Sequence, residues 1–287
     1  MKNMFYKPLT ATPFKRDEKY KEVQPQNQEL AKYIRCFWGS EKPYLKKEKS
    51  AVVSLVVPDT CVDIIYRIDY TENRITGVFC GINDSSFCDR DDTECGHMIS
   101  IFAIRFYAWG AYAFSEDSMK DTINGFYDVQ SRFCWLDKML RQQLLEKHSL
   151  EERSRIAEEI FLQRMFKIRQ HPIVDHAVKQ MIMFKGTQSA AGLAEECVVS
   201  SRHLERLFHE YIGITPKKLC NLVRYQCLWN EIVINPGFRV LDAVYEYGYA
   251  DQSHLMREFK RYHTMDIQKA KMYAYHNVGN IQYFLDR

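Results

Sequence analysis

Two short stretches of the chain carry side chains whose types and spacing suit the reading of a nucleic acid. Between Ser201 and Tyr211, Arg202, Glu205, Arg206 and His209 recur every three or four residues, so a helix gathers them on one face. Between Asp251 and Tyr262, Gln252, Ser253, Met256, Arg257 and Lys260 recur in the same way. Guanidinium, amide and hydroxyl groups on the outer face of a short helix can bond base edges and phosphates in a major groove. A charged helix face is more often merely solvated, so the weight falls on the elements that must position these two.

Two other groupings invite different chemistry. Cys80, Cys88, Cys95 and His97 offer thiolates and an imidazole, the groups zinc prefers or a redox sensor uses, and they define an alternative reading as a thiol- or metal-responsive regulator. Their spacing is loose, with only Cys95 and His97 close in sequence, and unrelated buried cysteines are the better expectation. Asp59, Cys61 and Asp63 form an acid and thiol cluster of the kind an enzyme could use. No glycine-rich phosphate loop, His-Glu-x-x-His or Gly-x-Ser-x-Gly motif accompanies it, so these residues are expected at turn and edge positions of a strand. No catalytic residue, metal ligand or cofactor is assigned.

The frame around the two polar faces repeats. Ala190 to Cys197 reads as a short helix, Val198 and Val199 as its connection and Ser200 as the N-cap of the next. In that next helix Leu204, Leu207, Phe208 and Tyr211 make the apolar face. The second copy runs from Val240 to Tyr262, with Gly248 where a left-handed C-cap belongs, Asp251 opening the second helix, and Leu255, Phe259 and Tyr262 inward. Between the copies Pro216 starts a longer helix that can bury Leu219, Leu222, Val223, Trp229, Ile232 and Val233 before Asn235-Pro236-Gly237 breaks it. Such a spacer can hold two readers about 34 Å apart, the repeat of major grooves along one side of DNA. Trp229, Tyr245, Tyr247 and Tyr249 are expected as packing residues, and His254 as a hydrogen-bonded structural histidine.

Upstream, Ala51 to Val57, Val62 to Ile68 and Ile99 to Phe106 read as strands, with Gly77, Gly81, Asn83-Asp84 and Gly96 as turns. Leu136, Leu140 and Leu144, then Ile156, Ile160 and Phe161, mark two amphipathic helices, and Pro172 suits the first turn of another. The expected class is α+β: an N-terminal antiparallel β barrel or sandwich with a helical extension, followed by an all-α unit with two helix-turn-helix elements. The aromatic residues Trp38, Phe79, Phe102, Phe106, Tyr107 and Trp109 are expected to fill the barrel or to wall a pocket in it.

Composition narrows the partners. The chain has 287 residues, 46% hydrophobic and 27% charged, which excludes disordered and fibrous classes. Net charge is +3, and the stretch from His171 onward holds 14 basic and 12 acidic residues, so any polyanion must be recognised through local placement. No run approaches the roughly 18 apolar residues of a membrane span, and Met1 to Phe14 lacks the apolar core of a signal peptide. Nine cysteines without a Cys-x-x-Cys pair suit free thiols in a reduced, cytoplasmic setting.

The carboxy-terminal half resembles the DNA-binding domain of the AraC-type transcription regulators. The first unit matches through Leu193-Ala194, Ser200, Leu204, Arg206, Phe208, Gly213-Ile214-Thr215-Pro216 and Arg224. The second matches through Gly248-Tyr249, Asp251-Gln252-Ser253-His254-Leu255, Arg257 and Phe259-Lys260. The resemblance implies base-facing roles for Arg202, Glu205 and Arg206 in one reader and for Gln252, Ser253, Met256 and Arg257 in the other, with Lys260 beside them. Three departures stand out: Val198 replaces a turn glycine, Ala243-Val244 replaces a branched residue followed by alanine, and Thr264-Met265-Asp266-Ile267 replaces Gly-x-Thr-Pro. A β-branched residue resists positive φ, so the first turn is expected to be reshaped.

In the amino-terminal half, Leu30-Ala31, Tyr33-Ile34, Phe37-Trp38, the run from Val57 to Ile65, Ile104-Arg105-Phe106 and Gly110-Ala111-Tyr112 resemble the sensory β domain of one branch of that family. The implied organisation is a sensory domain over 1–136, a helical dimerisation segment over 137–170, a DNA-binding domain over 171–275 and a tail over 276–287. The implied partners are double-stranded DNA, a second copy of the chain, RNA polymerase and a small-molecule effector, with no membrane.

Overall fold

The computed structural model of the chain describes residues 6–13, 20–46, 53–90 and 95–276. The tail therefore lies outside the described residues from 277 onward. Among the described residues nine strands come first: β1 Tyr20–Val23, β2 Ile34–Ser40, β3 Tyr44–Leu45, β4 Val53–Val56, β5 Cys61–Asp69, β6 Arg74–Cys80, β7 Phe87–Arg90, β8 Met98–Tyr107 and β9 Phe126–Asp128. The main sheet has the order β1-β2-β8-β5-β6-β9, with β3 also on β8, and β4 and β7 pair as a separate ribbon. Every recorded pairing is antiparallel. Among the described residues no pairing joins β1 to β9, so the expected barrel is an open sheet partly covered by a ribbon.

Strand parity divides this sheet into two faces. Val62, Ile64, Tyr66 and Ile68 of β5 are buried, and the first three stand opposite Phe106, Ile104 and Phe102 of β8. That face packs against two helices, α2 (Gln130–Glu146) and α3 (Leu150–Arg164), where Phe106 meets Phe133 and Phe161 at centroid distances of 6.0 and 5.7 Å. Leu136, Leu140, Leu144, Ile160 and Phe161 are buried, in line with the apolar spacing, while Ile156 is half-buried. The alternate residues, Cys61, Asp63 and Ile65, face the other way. Gly77, expected in a turn, lies inside β6, where a Cβ would collide with Val129 and Tyr66. Close approach of a side chain to the strand is what requires a glycine there.

After α1 (Ala108–Phe114) and the α2–α3 pair, seven more helices follow among the described residues: α4 Pro172–Met183, α5 Ala190–Glu196, α6 Ser201–Tyr211, α7 Pro216–Ile234, α8 Val240–Glu246, α9 Gln252–His263 and α10 Ile267–His276. Helix α7 contributes most to their core. Leu219, Leu222, Val223, Trp229, Ile232 and Val233 are all buried, and the helix touches α4, α5, α6, α9 and α10. The ending of this unit, the least regular part of the sequence match, is well formed. Thr264 takes φ 64°, and Asp266 caps α10 by accepting from Lys269 N at 2.9 Å.

Candidate nucleic-acid interface

Each candidate reader helix is started by a side-chain cap. Ser200 accepts from His203 N at 3.2 Å before α6, and Asp251 accepts from His254 N at 2.6 Å before α9. Each cap satisfies a backbone donor that helix geometry leaves orphaned, a contribution of about 1 kcal/mol. Leu204, Leu207 and Phe208 bury one side of α6, and Leu255, Phe259 and Tyr262 bury one side of α9. Tyr211 is only half-buried, because its ring packs on Tyr112 of α1 rather than inside the helical unit.

The opposite faces are open. Arg202, Glu205, Arg206 and His209 on α6 are exposed, as are Gln252, Ser253, Arg257 and Lys260 on α9, while Met256 is half-buried. Among the described residues Arg202, Arg257 and Lys260 meet no carboxylate, and the recorded contact of Arg206 is His203 at 3.3 Å. Both candidate faces thus present cationic groups to solvent, and α9 adds the Gln252 amide. His254 lies beside this face with its ring against Tyr249 and its Nδ1 3.4 Å from Ala250 N, as a structural histidine should.

Between the two turns, backbone geometry differs in one instructive way. Gly248 takes φ 63° before α9, and Val198 takes φ 54° at the matching point before α6. The first turn is therefore not reshaped by its valine. Val199 N still reaches Ala194 O at 3.0 Å and Val198 N reaches Glu195 O at 2.9 Å, so the closing hydrogen bonds hold the β-branched residue in a strained region.

Helices α8 and α9 are tied to α7 by partly buried polar contacts. Arg224 of α7 donates to both oxygens of Glu258 in α9 at 2.8 Å, Tyr249 donates to the same carboxylate at 2.8 Å, and the guanidinium lies 4.4 Å from the Tyr249 ring centre. Tyr247 donates to Glu231 at 2.8 Å, tying the end of α8 to α7. Glu258 and Glu231 show no sequence signal beyond their helical phase. Tyr247 and Tyr249 pack as expected, but Tyr245 is 85% exposed and joins no core.

Residues 193–270 match the family described as a helix-turn-helix domain, of AraC type, and residues 21–127 match the family described as a domain of unknown function (DUF6597). The carboxy-terminal part of the chain is thus a helix-turn-helix domain of AraC type. No curated protein matches it. Among solved structures, an AraC-type DNA-binding domain-containing regulator from Chromobacterium violaceum is 20% identical, covering 36% of this chain and 93% of that one with a TM-score of 0.34. ToxT from Vibrio cholerae strain SCE256, bound to an unsaturated fatty acid, is 11% identical over 82% of this chain and 95% of that one, with a TM-score of 0.39. ToxT from Vibrio cholerae O395 is 13% identical over 85% and 98%, with a TM-score of 0.36.

The chain also holds a cavity of about 800 Å³ where its halves meet. The floor is the second face of the main sheet, the walls are the β4–β7 ribbon and residues 7–13, and Asn230 and Ile234 of α7 close one side. Residues 9–10 are fastened to α7. Gln226 accepts from Leu9 N at 2.7 Å and donates to Leu9 O at 3.1 Å and to Pro58 O at 2.7 Å, and Trp229 donates to Thr10 O at 3.0 Å. Gln226 is a buried amide inside an apolar helix face, a signal that could have flagged it.

Asp59 and Asp63 both line this cavity, but only Asp63 corrects the expectation of turn and edge positions, since Asp59 stays in the turn ahead of β5, where it accepts from Cys61 N at 3.0 Å. Asp63 sits in β5, flanked on both sides by strands, opposite Arg105 of β8. It accepts from the Trp38 indole at 2.9 Å and stands 3.5 Å from Arg105, whose other nitrogen is paired with Asp59. Burial pushes the Asp63 carboxyl up to about 7, with Glu22 adding to the rise and the Trp38 bond opposing it. Of the aromatic candidates, Phe79, Phe102 and Phe106 fill the core, Trp38 walls the cavity, and Tyr107 and Trp109 stack on each other at 4.9 Å.

The cysteine and histidine grouping does not assemble. Cys80 is buried on β6 with its thiol pushed up by desolvation, Cys88 and Cys95 are exposed, and His97 Nδ1 lies 2.7 Å from Asp69. Among the described residues no three or more His, Cys, Asp or Glu side chains converge on a point that could hold a metal ion. All nine cysteines are free thiols. No helix among the described residues is long and apolar enough to cross a membrane.

Proposed function

We propose that this regulator binds a specific duplex site by laying α6 and α9 in successive major grooves, and that a small molecule in the cavity alters that binding. The observation that carries the reading is the exposure of Arg202, Arg206, Gln252 and Arg257 on two capped helices braced by one continuous spacer. Helix α7 has 19 residues. At about 1.5 Å per residue such a helix is roughly 28 Å long, comparable to the groove repeat of about 34 Å. Arg206 and Arg257 are positioned to read guanine edges or phosphates, Gln252 and Ser253 to read adenine or backbone, and Lys260 to hold phosphate. Glu205 can accept from a cytosine amine, and Met256 offers apolar contact to a thymine methyl.

The cavity supports the responsive part, because its wall includes the spacer that braces both readers. A homodimer belongs to the same proposal. Met139, Leu162 and Phe166 are exposed apolar side chains on and just after the α2–α3 pair, and Phe166 is 79% exposed. Contact with RNA polymerase from the DNA-bound state completes it.

The test is a gel shift on DNA upstream of the protein's own and neighbouring genes. Arg206→Ala with Arg257→Ala is expected to weaken specific binding by roughly a hundredfold or more, since each base contact is worth about 1–3 kcal/mol. The salt dependence of binding is expected to fall with the lost charges. Unchanged affinity in the double variant would falsify the assigned contacts.

A further inference from the structure

Three neighbouring strands, β2, β8 and β5, set a row of charges across the cavity floor. Arg105 of β8 occupies the middle and is paired with Asp59. On one side of it Asp63 of β5 lies in register, with an indole donor at 2.9 Å and Arg105 at the longer distance of 3.5 Å. On the other side, the register of β2 shifts between Ile34 and Cys36, where Cys36 opposes Arg105. That bulge turns Arg35 onto the cavity wall. The Arg35 side chain is 7% exposed, reaches Glu22 only at 3.6 Å and Gln24 at 3.3 Å, and its Nε is buried without a partner.

The row thus holds one satisfied pair between an under-paired carboxylate and an under-paired guanidinium. A lone cation would serve Asp63 and leave Arg35 as it is, and a lone anion would do the reverse. We infer that the cavity takes an α-amino acid with a large apolar side chain, its ammonium on Asp63 and its carboxylate on Arg35. Both ends of such a zwitterion replace water with charge-assisted hydrogen bonds, and no net charge is added to a buried floor. One wall above the floor is apolar and aromatic, beside polar residues such as Thr10, Ser54 and Asn230. Leu55, Phe87 and Phe126 line it, the two phenylalanine rings meeting edge to face at 5.9 Å, which suits a hydrocarbon or ring rather than a polar side chain. Ile234 of α7 reaches the same space, so the side chain of the ligand would press on the spacer.

This assignment rests on the effector reading above only for its consequence, not for its chemistry. The experiment is calorimetric titration of the full-length protein with a panel of apolar and aromatic L-amino acids. It is run beside phenethylamine and 3-phenylpropanoate, which keep the body of phenylalanine and one charge each. At least one amino acid of the panel is expected to bind, and either single-charge analogue to bind roughly tenfold more weakly or worse than the zwitterion. Asp63→Asn and Arg35→Met are each expected to remove the preference for the zwitterion, and the analogue series on the unmodified protein decides the matter if a variant does not fold. No binding across the panel overturns the assignment, and so does an amine or an acid that binds as tightly as the amino acid. The DNA gel shift is repeated with the bound amino acid. Binding without any change in DNA affinity keeps the ligand and removes the effector reading, whereas absence of specific DNA binding by the unmodified protein both with and without the amino acid removes the regulator reading alone.

Discussion

The two halves of the chain handle charge in opposite ways. In the helical half the candidate reader residues stand outward, and the interior ions are matched at short range, as in Arg224 with Glu258 and Tyr249. In the sheet half charges are built into strands and helix faces that look inward. Arg153 is 1% exposed and its guanidinium bonds Ser100, Tyr70, Leu144 O and Lys147 O, with no carboxylate among these partners. Arg35 and Asp63 face the cavity short of partners. An outward charge costs little to keep and is ready for an external polyanion. An inward charge persists only where the fold supplies partners or where a ligand does.

The largest expected effect tests the inward side of this contrast. Arg153→Ala strands four polar partners and opens a void, and should lower unfolding stability by about 4 kcal/mol in denaturant titration. A comparable loss from Arg202→Ala, which is fully outward, would break the comparison.

His263 is the exception within the helical half, and it sharpens the contrast through pH. It is fully buried against Trp229 and Phe259, meets Tyr225 at 2.8 Å, and desolvation lowers its pKa to about 3. A depressed folded-state value means the stability is present above the unfolded value and is lost as pH falls. Relative to His263→Phe, the wild type should lose about 3 kcal/mol between pH 6.5 and 4 in calorimetry, at about 1.4 kcal/mol per unit. A parallel pH profile for the two proteins would show that the ring is not held neutral.

Asp63 should act with the opposite sign over nearly the same window. Its folded value is raised to about 7 by burial, so its stabilising share is complete below the unfolded value near 4 and disappears as pH rises toward 7. Asp63→Asn is expected to be more stable than the wild type at pH 8 by about 2 kcal/mol, discounted for the partial opening of the site. The smallest expected effect lies in the first reader's turn. Val198 is 89% exposed at φ 54°, so Val198→Gly loses no packing and relieves the strain, raising stability by up to about 1 kcal/mol.

Much of the helical half was legible because its determinants are local. Ser200, Gly248 and Asp251 act on backbone within four residues of themselves, and the apolar phase of α6, α7 and α9 repeats at the helical period. The reader faces follow as the remainder of that phase. Tyr245 shows the limit: its neighbours Tyr247 and Tyr249 are buried, yet nothing nearby in sequence distinguishes a tyrosine that packs from one that faces solvent. The strands of the sheet half were visible in outline, but Gly77 was misplaced because the side chains that crowd it, Tyr66 and Val129, are distant in sequence.

By itself the sequence determined the helix starts and stops, the two reader faces and the presence of a β-rich half, since each depends on neighbours a turn or a pleat away. Tertiary structure alone decided that the sheet stays open, that Arg35, Arg105 and Asp63 line up on one floor, and that Leu9 and Thr10 reach α7. Those outcomes depend on strand order, a single-residue bulge and contacts spanning more than two hundred residues, as between Leu9 and Gln226. Local propensity carries no record of such pairings. Only the packing that brings distant segments together can turn scattered charges into a site.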